Sequence, residues 1–282
     1  MSVRLTALLT IAALIAFAGN SVIARIALAD GAIGPASFTA IRLIAGGVVL
    51  SLLVGPRTTR RAGSWRGAAM LLGYAALFSA AYLQLSTGTG ALVLFASVQI
   101  TMIGWGLVSG ERFGAVQVLG IVLAVAGLVG LLLPGLAQPD PLAAALMIGS
   151  GTCWGVYSLL GRGAGAPAAI TAGNFGRAGL AVIPLAVLWH WVSGEGSASA
   201  HGIALAVLSG AVTSGLGYAV WYRALKGLTA SQAGIVQLAV PPLAALGGIV
   251  FLSETPSLRF VAASAITLLG IALAMRPYAN SK

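Results

Sequence analysis

Two stripes of hydroxyl-bearing and aromatic side chains interrupt runs of the chain that are otherwise apolar. Tyr74, Phe78 and Tyr82 recur every four residues, and Ser214, Tyr218, Trp221 and Tyr222 follow helical spacing too, so each set shares one helix face. Phe95 and Gln99 stand four apart in another run, Gln232 and Gln237 precede Pro241 and Pro242, and Asn20, Ser21, Trp154, Tyr157 and Ser158 occupy two more. Polar groups are expensive beside lipid and face protein or a water-filled space. The chemistry open to them is non-covalent: rings cover the apolar part of a small amphipathic solute, while hydroxyls and amides orient its polar end. The competing role for each stripe is helix packing or, for Tyr74, Trp105, Trp189 and Trp191 near helix ends, anchoring at the membrane interface. Covalent chemistry lacks its parts, because the two histidines, His190 and His201, flank one connection beside Glu195. The single cysteine, Cys153, excludes an internal disulfide and a cysteine metal cluster, and neither metal nor cofactor is expected.

These residues sit in ten apolar runs of lipid-crossing length, at 5–24, 35–53, 67–85, 90–108, 117–133, 142–160, 170–191, 200–222, 231–251 and 258–275. Each is expected to be helical, since lipid cannot satisfy bare backbone groups. Composition agrees: 59% of residues are hydrophobic, 7% are charged and the mean hydropathy is +1.01, which leaves no room for a soluble catalytic domain. Arg4, the first run and Ala16-Phe17-Ala18 imitate a secretory signal peptide, but the polar pattern that follows recurs later in the chain, which makes the run part of the fold.

A net charge of +10 would suggest nucleic acid in a soluble protein; here the basic residues follow the crossings instead. Arg57, Arg60, Arg61, Arg66, Arg112, Arg162, Arg223, Lys226, Arg276 and Lys282 all fall on one side, and the connections between crossings three and four, five and six, and seven and eight carry no Lys or Arg. The positive-inside rule therefore places both termini in the cytoplasm. The expected partners are the lipid bilayer and a small-molecule substrate.

The chain also repeats. Glu111 maps onto Glu254, Gly127 onto Gly270 and Pro134 onto Pro277 with one offset of 143 residues. A second register pairs Phe17 with Trp154, Asn20 with Tyr157, Ser21 with Ser158 and Arg25 with Arg162. The repeat unit is five crossings, giving residues 1–137 and 138–282. Five is odd, so the second copy enters the membrane upside down. The fold expected is an all-α integral membrane protein of ten transmembrane helices in two inverted repeats, able to open a central site to either side in turn.

Gly110-Glu111-Arg112-Phe113 in the fourth connection, and Tyr222-Arg223-Ala224-Leu225, Ala230-Ser231, Pro241-Pro242 and Ser253-Glu254 in the second half, resemble the drug/metabolite transporter superfamily. Within it the chain is similar to the EamA-type ten-helix carriers, most of all the YddG-type amino acid exporters. The first half departs from the pattern at Val98-Gln99, where the proline pair is missing, and at Tyr82-Leu83-Gln84-Leu85. The resemblance implies export of amino acids, including aromatic or other apolar ones, or of related metabolites from the bacterial inner membrane. It also implies a cavity built by crossings three, four, eight and nine, helped by one and six.

The expected lining is therefore Asn20, Phe78, Tyr82, Phe95, Gln99, Trp154, Tyr157, Ser158, Tyr218, Trp221, Tyr222 and Gln237, with Pro241 and Pro242 as a hinge. Tyr82→Ala or Tyr222→Ala is expected to reduce transport. Arg42 and Arg177 are the charges placed well inside runs, at corresponding positions of crossings two and seven; each is either a partner for a substrate carboxylate or a helix fastener. Glu111 and Glu254 read as structural anchors to Arg112 and Arg259. No Asp or Glu lies within any run, which weighs against obligate proton antiport and against efflux of cationic drugs, the other carrier reading. Gly106, Gly110 and Gly114, and Gly151 and Gly155, have the spacing of close helix contacts. A membrane-embedded enzyme or a sensor is the alternative of a different class.

Overall fold

The computed structural model describes residues 2–110, 113–133, 139–161, 166–228 and 236–274, and these are helical with no strand among them. The elements are α1 (Val3–Ala29), α2 (Pro35–Val54), a short α3 (Pro56–Arg61), α4 (Trp65–Ala81), α5 (Thr87–Val108), α6 (Ala115–Leu132), α7 (Pro141–Leu160), α8 (Pro167–Ser193), α9 (Ala200–Leu225), α10 (Val240–Leu252) and α11 (Leu258–Ala274). Seven are long and apolar enough to span a membrane outright, and α10 and α11 are shorter apolar helices; with the 17-residue α4 they make ten crossings. Glu111, Arg112, Pro134, Arg162, Ala230, Ser231, Gln232, Arg276, Pro277 and Lys282 lie outside the described residues.

Local chemistry sets the helix starts. Pro occupies the first turn of α2, α3, α7 and α8, where its missing N–H is no loss, and the side chains of Ser2, Ser64, Asp140 and Ser199 cap α1, α4, α7 and α9. The N-cap residues of α2 and α5, Gly34 and Ser86, supply no side-chain cap to the backbone, and a carboxylate from the far half takes their place. Glu195 accepts from the backbone N–H of Ala36 (3.3 Å) and Ser37 (3.1 Å); Glu254 accepts from Thr87 N–H (2.9 Å) and Oγ1 (3.2 Å).

Two boundaries and one glycine contact differ from expectation. Crossing three ends at Ala81, and Tyr82–Leu85 form a turn, because hydropathy alone does not separate an apolar turn from helix. Crossing nine breaks at a turn over Leu238 and Ala239, so Pro241 and Pro242 start α10 and do not kink a helix interior. Gly110 ends α5 at φ 86° with open space beside it and makes no helix contact, whereas Gly151 and Gly155 do: a Cβ there would meet Leu94 O at 2.6 Å and Thr101 Cβ at 2.8 Å.

The helices pack in a pattern with internal correspondence. Crossings two and seven (α2, α8), four and nine (α5, α10), and five and ten (α6, α11) pair directly. The pairing of three with six (α4, α7) has a counterpart in eight with one (α9, α1), four with six in nine with one, and three with seven in eight with two. Gly127 and Gly270, matched by the repeat, both lie in the seam between α6 and α11, against Thr267 and Ala124. Large apolar side chains such as Leu52, Val108, Val250 and Phe251 cover the outside and face lipid.

Candidate functional site

The centre of the bundle is set by how closely α2 and α9 approach. Gly210 on α9 rests against the Arg42 backbone, where an added Cβ would stand 2.8 Å from Arg42 Cα, and a Cβ on Gly46 would stand 3.0 Å from Gly210 O. At this contact α9 widens into a π-helix over Ser209–Leu216, a form concentrated at functional positions. Asn20 of α1 holds the widened turn, its Oδ1 accepting from Ser209 Oγ (2.7 Å) and Thr213 Oγ1 (3.2 Å). Ser214 then lies within reach of Arg42, whose Nε donates to Ser214 Oγ at 3.2 Å and whose Nη2 donates to Tyr74 Oη at 2.9 Å. The guanidinium sits 5.1 Å from the Tyr74 ring and 4.9 Å from the Phe78 ring.

Around this cluster lies a cavity lined by Phe17, Asn20 and Ser21 of α1, Tyr74 and Phe78 of α4, Leu94 and Phe95 of α5, Trp154 of α7, Thr213, Ser214 and Tyr218 of α9, and Gln237. Its walls are continuous aromatic packing. Tyr74 and Trp154 rings are 4.8 Å apart, Trp154 and Tyr218 5.2 Å, and Phe17 meets Tyr218 edge-on at 5.8 Å. The space is about 30 Å³, room for about two waters, so the walls leave little volume between them.

A second, larger depression of about 280 Å³ opens at the end of the bundle that carries Glu254, lined by Gln84, Ser86, Asp140, Glu254, Ser257 and Phe260 among others. A chain of contacts separates it from the central cavity. Glu254 holds the start of α5 and faces Arg25 Nε at 3.6 Å; Arg25 Nη1 donates to the carbonyls of Tyr82 and Leu83, both at 2.9 Å; and the Tyr82 ring stands edge-on to Phe78 at 4.7 Å.

Of the expected lining residues, the structure brings Asn20, Phe78, Phe95, Trp154, Tyr218 and Gln237 to the cavity. The others lie elsewhere. Tyr82 is buried in the turn after α4 and donates to the Thr87 carbonyl at 3.3 Å, while Ser158 donates to the Trp154 carbonyl of its own helix. Tyr157 and Tyr222 meet at Thr171, 3.3 and 2.7 Å from its Oγ1, behind the cavity wall. Trp221 packs on Phe17 and the Ala13–Ala224 contact, and Gln99 is buried one turn beyond Phe95. Those placements shift the two transport-lowering substitutions expected from sequence away from the cavity surface. Tyr74, which shares the stripe of Phe78 and had interface anchoring as its competing role, is buried mid-helix at the site. Phe17, Ser21, Thr213 and Ser214 were visible as polar or aromatic positions within crossings, and Leu94 carried no signal.

One expected ion pair does not form, and the two intramembrane arginines divide between the two roles open to them. Arg259 donates to the Gly130 and Leu133 carbonyls, leaving Glu254 to Arg25, because the loop after α10 turns Glu254 toward α5. Arg177 is not equivalent to Arg42: its guanidinium donates to the carbonyls of Ala62, Gly173 and Arg60 and ties the turn before α4 to α8. Arg42 stands at the heart of the bundle with 2% of its surface exposed. Trp105, Trp189 and Trp191 are exposed near helix ends, and both histidines are exposed. Among the described residues, no His, Cys, Asp and Glu group could hold a metal.

Residues 141–276 match the model of the EamA-like transporter family. The Threonine/homoserine exporter RhtA of Salmonella typhimurium is 34% identical over 79% of this chain and 76% of its own. The chain belongs to the EamA-like transporter family. An uncharacterized protein of Pseudomonas aeruginosa is 51% identical over 97% of this chain and 96% of its own, and a probable terminal-alkyne amino-acid exporter of Streptantibioticus cattleyicolor is 24% identical over 86% and 84%. A crystal structure of a protein 22% identical superposes with a TM-score of 0.67 over 97% of this chain and 98% of that one, which gives the fold alone. In this EamA-type transporter the cavity lies at the centre of the bundle, lined from α1, α4, α5, α7 and α9.

Proposed function

We propose that this EamA-type transporter exports amino acids or closely related small metabolites across a bacterial inner membrane, by facilitated diffusion or exchange and without covalent chemistry. The single observation that carries the reading is the central cavity, in which Trp154, Tyr218, Phe17 and Phe78 offer apolar and cation-attracting faces beside the hydroxyls of Tyr74 and Ser214. The exporters among its relatives supply the substrate class. Residues 1–137 and 138–282 act as the two inverted repeats, and the correspondence of helix pairings supports that division. Both termini face the cytoplasm, which puts the depression beside Glu254 on the outside.

Release outward requires the contact of Arg25 with Glu254 and the Tyr82 turn to separate. Among the described residues no carboxylate lines the cavity, which supports transport uncoupled from protons and disfavours cationic substrates. The test is counterflow of labelled L-threonine, L-homoserine and L-phenylalanine into proteoliposomes, with and without an imposed pH gradient. Saturable exchange of at least one, indifferent to the gradient, is expected. Absence of exchange for every amino acid tried would reject the substrate class, and accumulation driven by the gradient would reject uncoupled transport.

A further inference from the structure

The most unusual charge in the molecule is Arg42. It is 2% exposed inside a membrane-spanning helix, and among the described residues no carboxylate pairs with it. Of the chain's five acidic residues, Glu254 faces Arg25, Glu195 caps α2, Asp140 caps α7 and Asp30 ends α1, all at the ends of the bundle; the fifth, Glu111, lies outside the described residues. One guanidinium nitrogen, Nη1, is buried without a hydrogen-bond partner. A buried cation left in this condition is strongly unfavourable unless an anion joins it during the working cycle.

The two groups that do accept from Arg42 show where that anion would sit. Guanidinium nitrogens can only donate, so the Tyr74 and Ser214 oxygens act as acceptors and must direct their own O–H protons elsewhere. Neither hydroxyl has a protein acceptor among the described residues. Both line the central cavity, whereas Arg42 itself stands behind that lining. The guanidinium therefore converts two cavity hydroxyls into polarised donors held by one charge, in a low-dielectric setting where hydrogen bonds to an anion are strong.

We infer that Arg42, Tyr74 and Ser214 form the carboxylate subsite of the cavity: the substrate's carboxylate accepts from the Tyr74 and Ser214 hydroxyls and neutralises the Arg42 charge behind them. The inference rests on the exporter reading and deepens it. It makes the carboxylate an obligatory feature of the substrate, while an ammonium group would be left to the ring faces of Trp154 and Tyr218. Arg42 is a positioning and charge-supplying residue; the hydroxyls make the contact.

The deciding experiment uses the unmodified protein in proteoliposomes. Counterflow of labelled L-threonine is inhibited with unlabelled L-threonine, with 2,3-dihydroxybutanoate, which lacks the amine, and with L-threoninol, which has an alcohol in place of the carboxylate. L-Threoninol is expected to inhibit on the order of 100-fold less well than L-threonine, with the deaminated acid between them. Equal potency of L-threoninol and L-threonine would overturn the subsite. Arg42→Gln should erase the preference for the acid, and Arg42→Lys, which keeps the charge but can no longer present a planar fork, should retain part of it; Arg42→Gln with the preference intact would also overturn the inference.

If threonine does not exchange, the acid-against-alcohol comparison is run with whichever of L-homoserine or L-phenylalanine does; if none of the three exchanges, the exporter reading fails by itself. The subsite is then judged by thermal stabilisation of the detergent-purified protein with acetate, glycolate and benzoate, each against its own primary alcohol. Stabilisation by the acids alone, lost in Arg42→Gln, would retain it. Equal shifts for acids and alcohols, or no shift with any acid, would overturn it.

Discussion

Arg42 and Arg177 occupy matching crossings of the two halves, carry the same side chain and lie within apolar helices, yet they end in opposite situations. Arg177 is half-buried, and its fork is filled by backbone carbonyls of Ala62, Gly173 and Arg60 at the arginine-rich end of the bundle. Its stem runs along the helix while its head reaches the turn before α4, as long cationic side chains do near a membrane face. Arg42 is central and buried, and its acceptors are hydroxyls. A carbonyl ends a hydrogen-bond chain, because it has no proton to pass on. A hydroxyl extends the chain by one donor. The same cation is thus a fastener where carbonyls receive it and a source of directed positive potential where hydroxyls do.

The sharpest way to break this contrast is to neutralise each arginine in turn. Arg42→Gln should lower the kcat/KM for carboxylate-bearing substrate by roughly 100-fold, equivalent to about 3 kcal/mol of lost charge-assisted bonding. Arg177→Gln should change kcat/KM by less than about threefold while lowering stability by about 2 kcal/mol, because it loses bonds to a turn and none to the cavity. Counterflow kinetics and thermal melts of both purified variants decide it. Equal transport losses would erase the distinction between fastener and site.

A second pair tests the geometry that brings Arg42 and Ser214 together. Gly210→Ala would drive a Cβ into the Arg42 backbone, separating α2 from the π-helical turn; transport should fall by roughly 30-fold, with about 2 kcal/mol of destabilisation from overpacking. Gly179→Ala enters the neighbouring contact of α8 with α2, where Ile44 stands at 3.6 to 3.9 Å, and should be within about 0.5 kcal/mol of the parent. If the two variants melt and transport alike, the close approach at Gly210 is not what assembles the cluster.

How much of this contrast was legible in the sequence depends on the scale. The ten crossings were, because lipid length and apolarity are properties of a run. Where the crossings end was less so: Tyr82–Leu85 and Leu238–Ala239 are apolar turns that continue the run, and so the tyrosine at 82 and the prolines at 241 and 242 were assigned to helix interiors. The α4 stripe and the scattered polar positions pointed at the right helices. They did not separate Tyr218, on the cavity, from Tyr222, one turn away and bonded to Thr171, since both are aromatic hydroxyls at helical spacing and only the neighbouring helix tells them apart. Charge partners were the least legible. Glu254 reaches Arg25 across the two halves and passes over Arg259 five residues away, a choice made by loop direction and invisible in spacing.

The smallest test removes a single oxygen. Tyr74→Phe keeps the ring, its contacts to Trp154 and Phe78, and the face 5.1 Å from the Arg42 guanidinium, and deletes only the hydroxyl that receives Nη2 and points a proton onward. One polarised donor lost should reduce the preference for L-threonine over L-threoninol by about tenfold, near 1.4 kcal/mol. Tyr222→Phe removes a hydroxyl from an equally aromatic side chain in the same bundle, but one committed to Thr171, and should leave that preference within about twofold. Because both variants lose the same atom, a shared structural cost cancels in the comparison. A preference that falls only at Tyr74 locates the carboxylate beside Arg42; a preference that falls equally at both, or at neither, removes Tyr74 from the subsite.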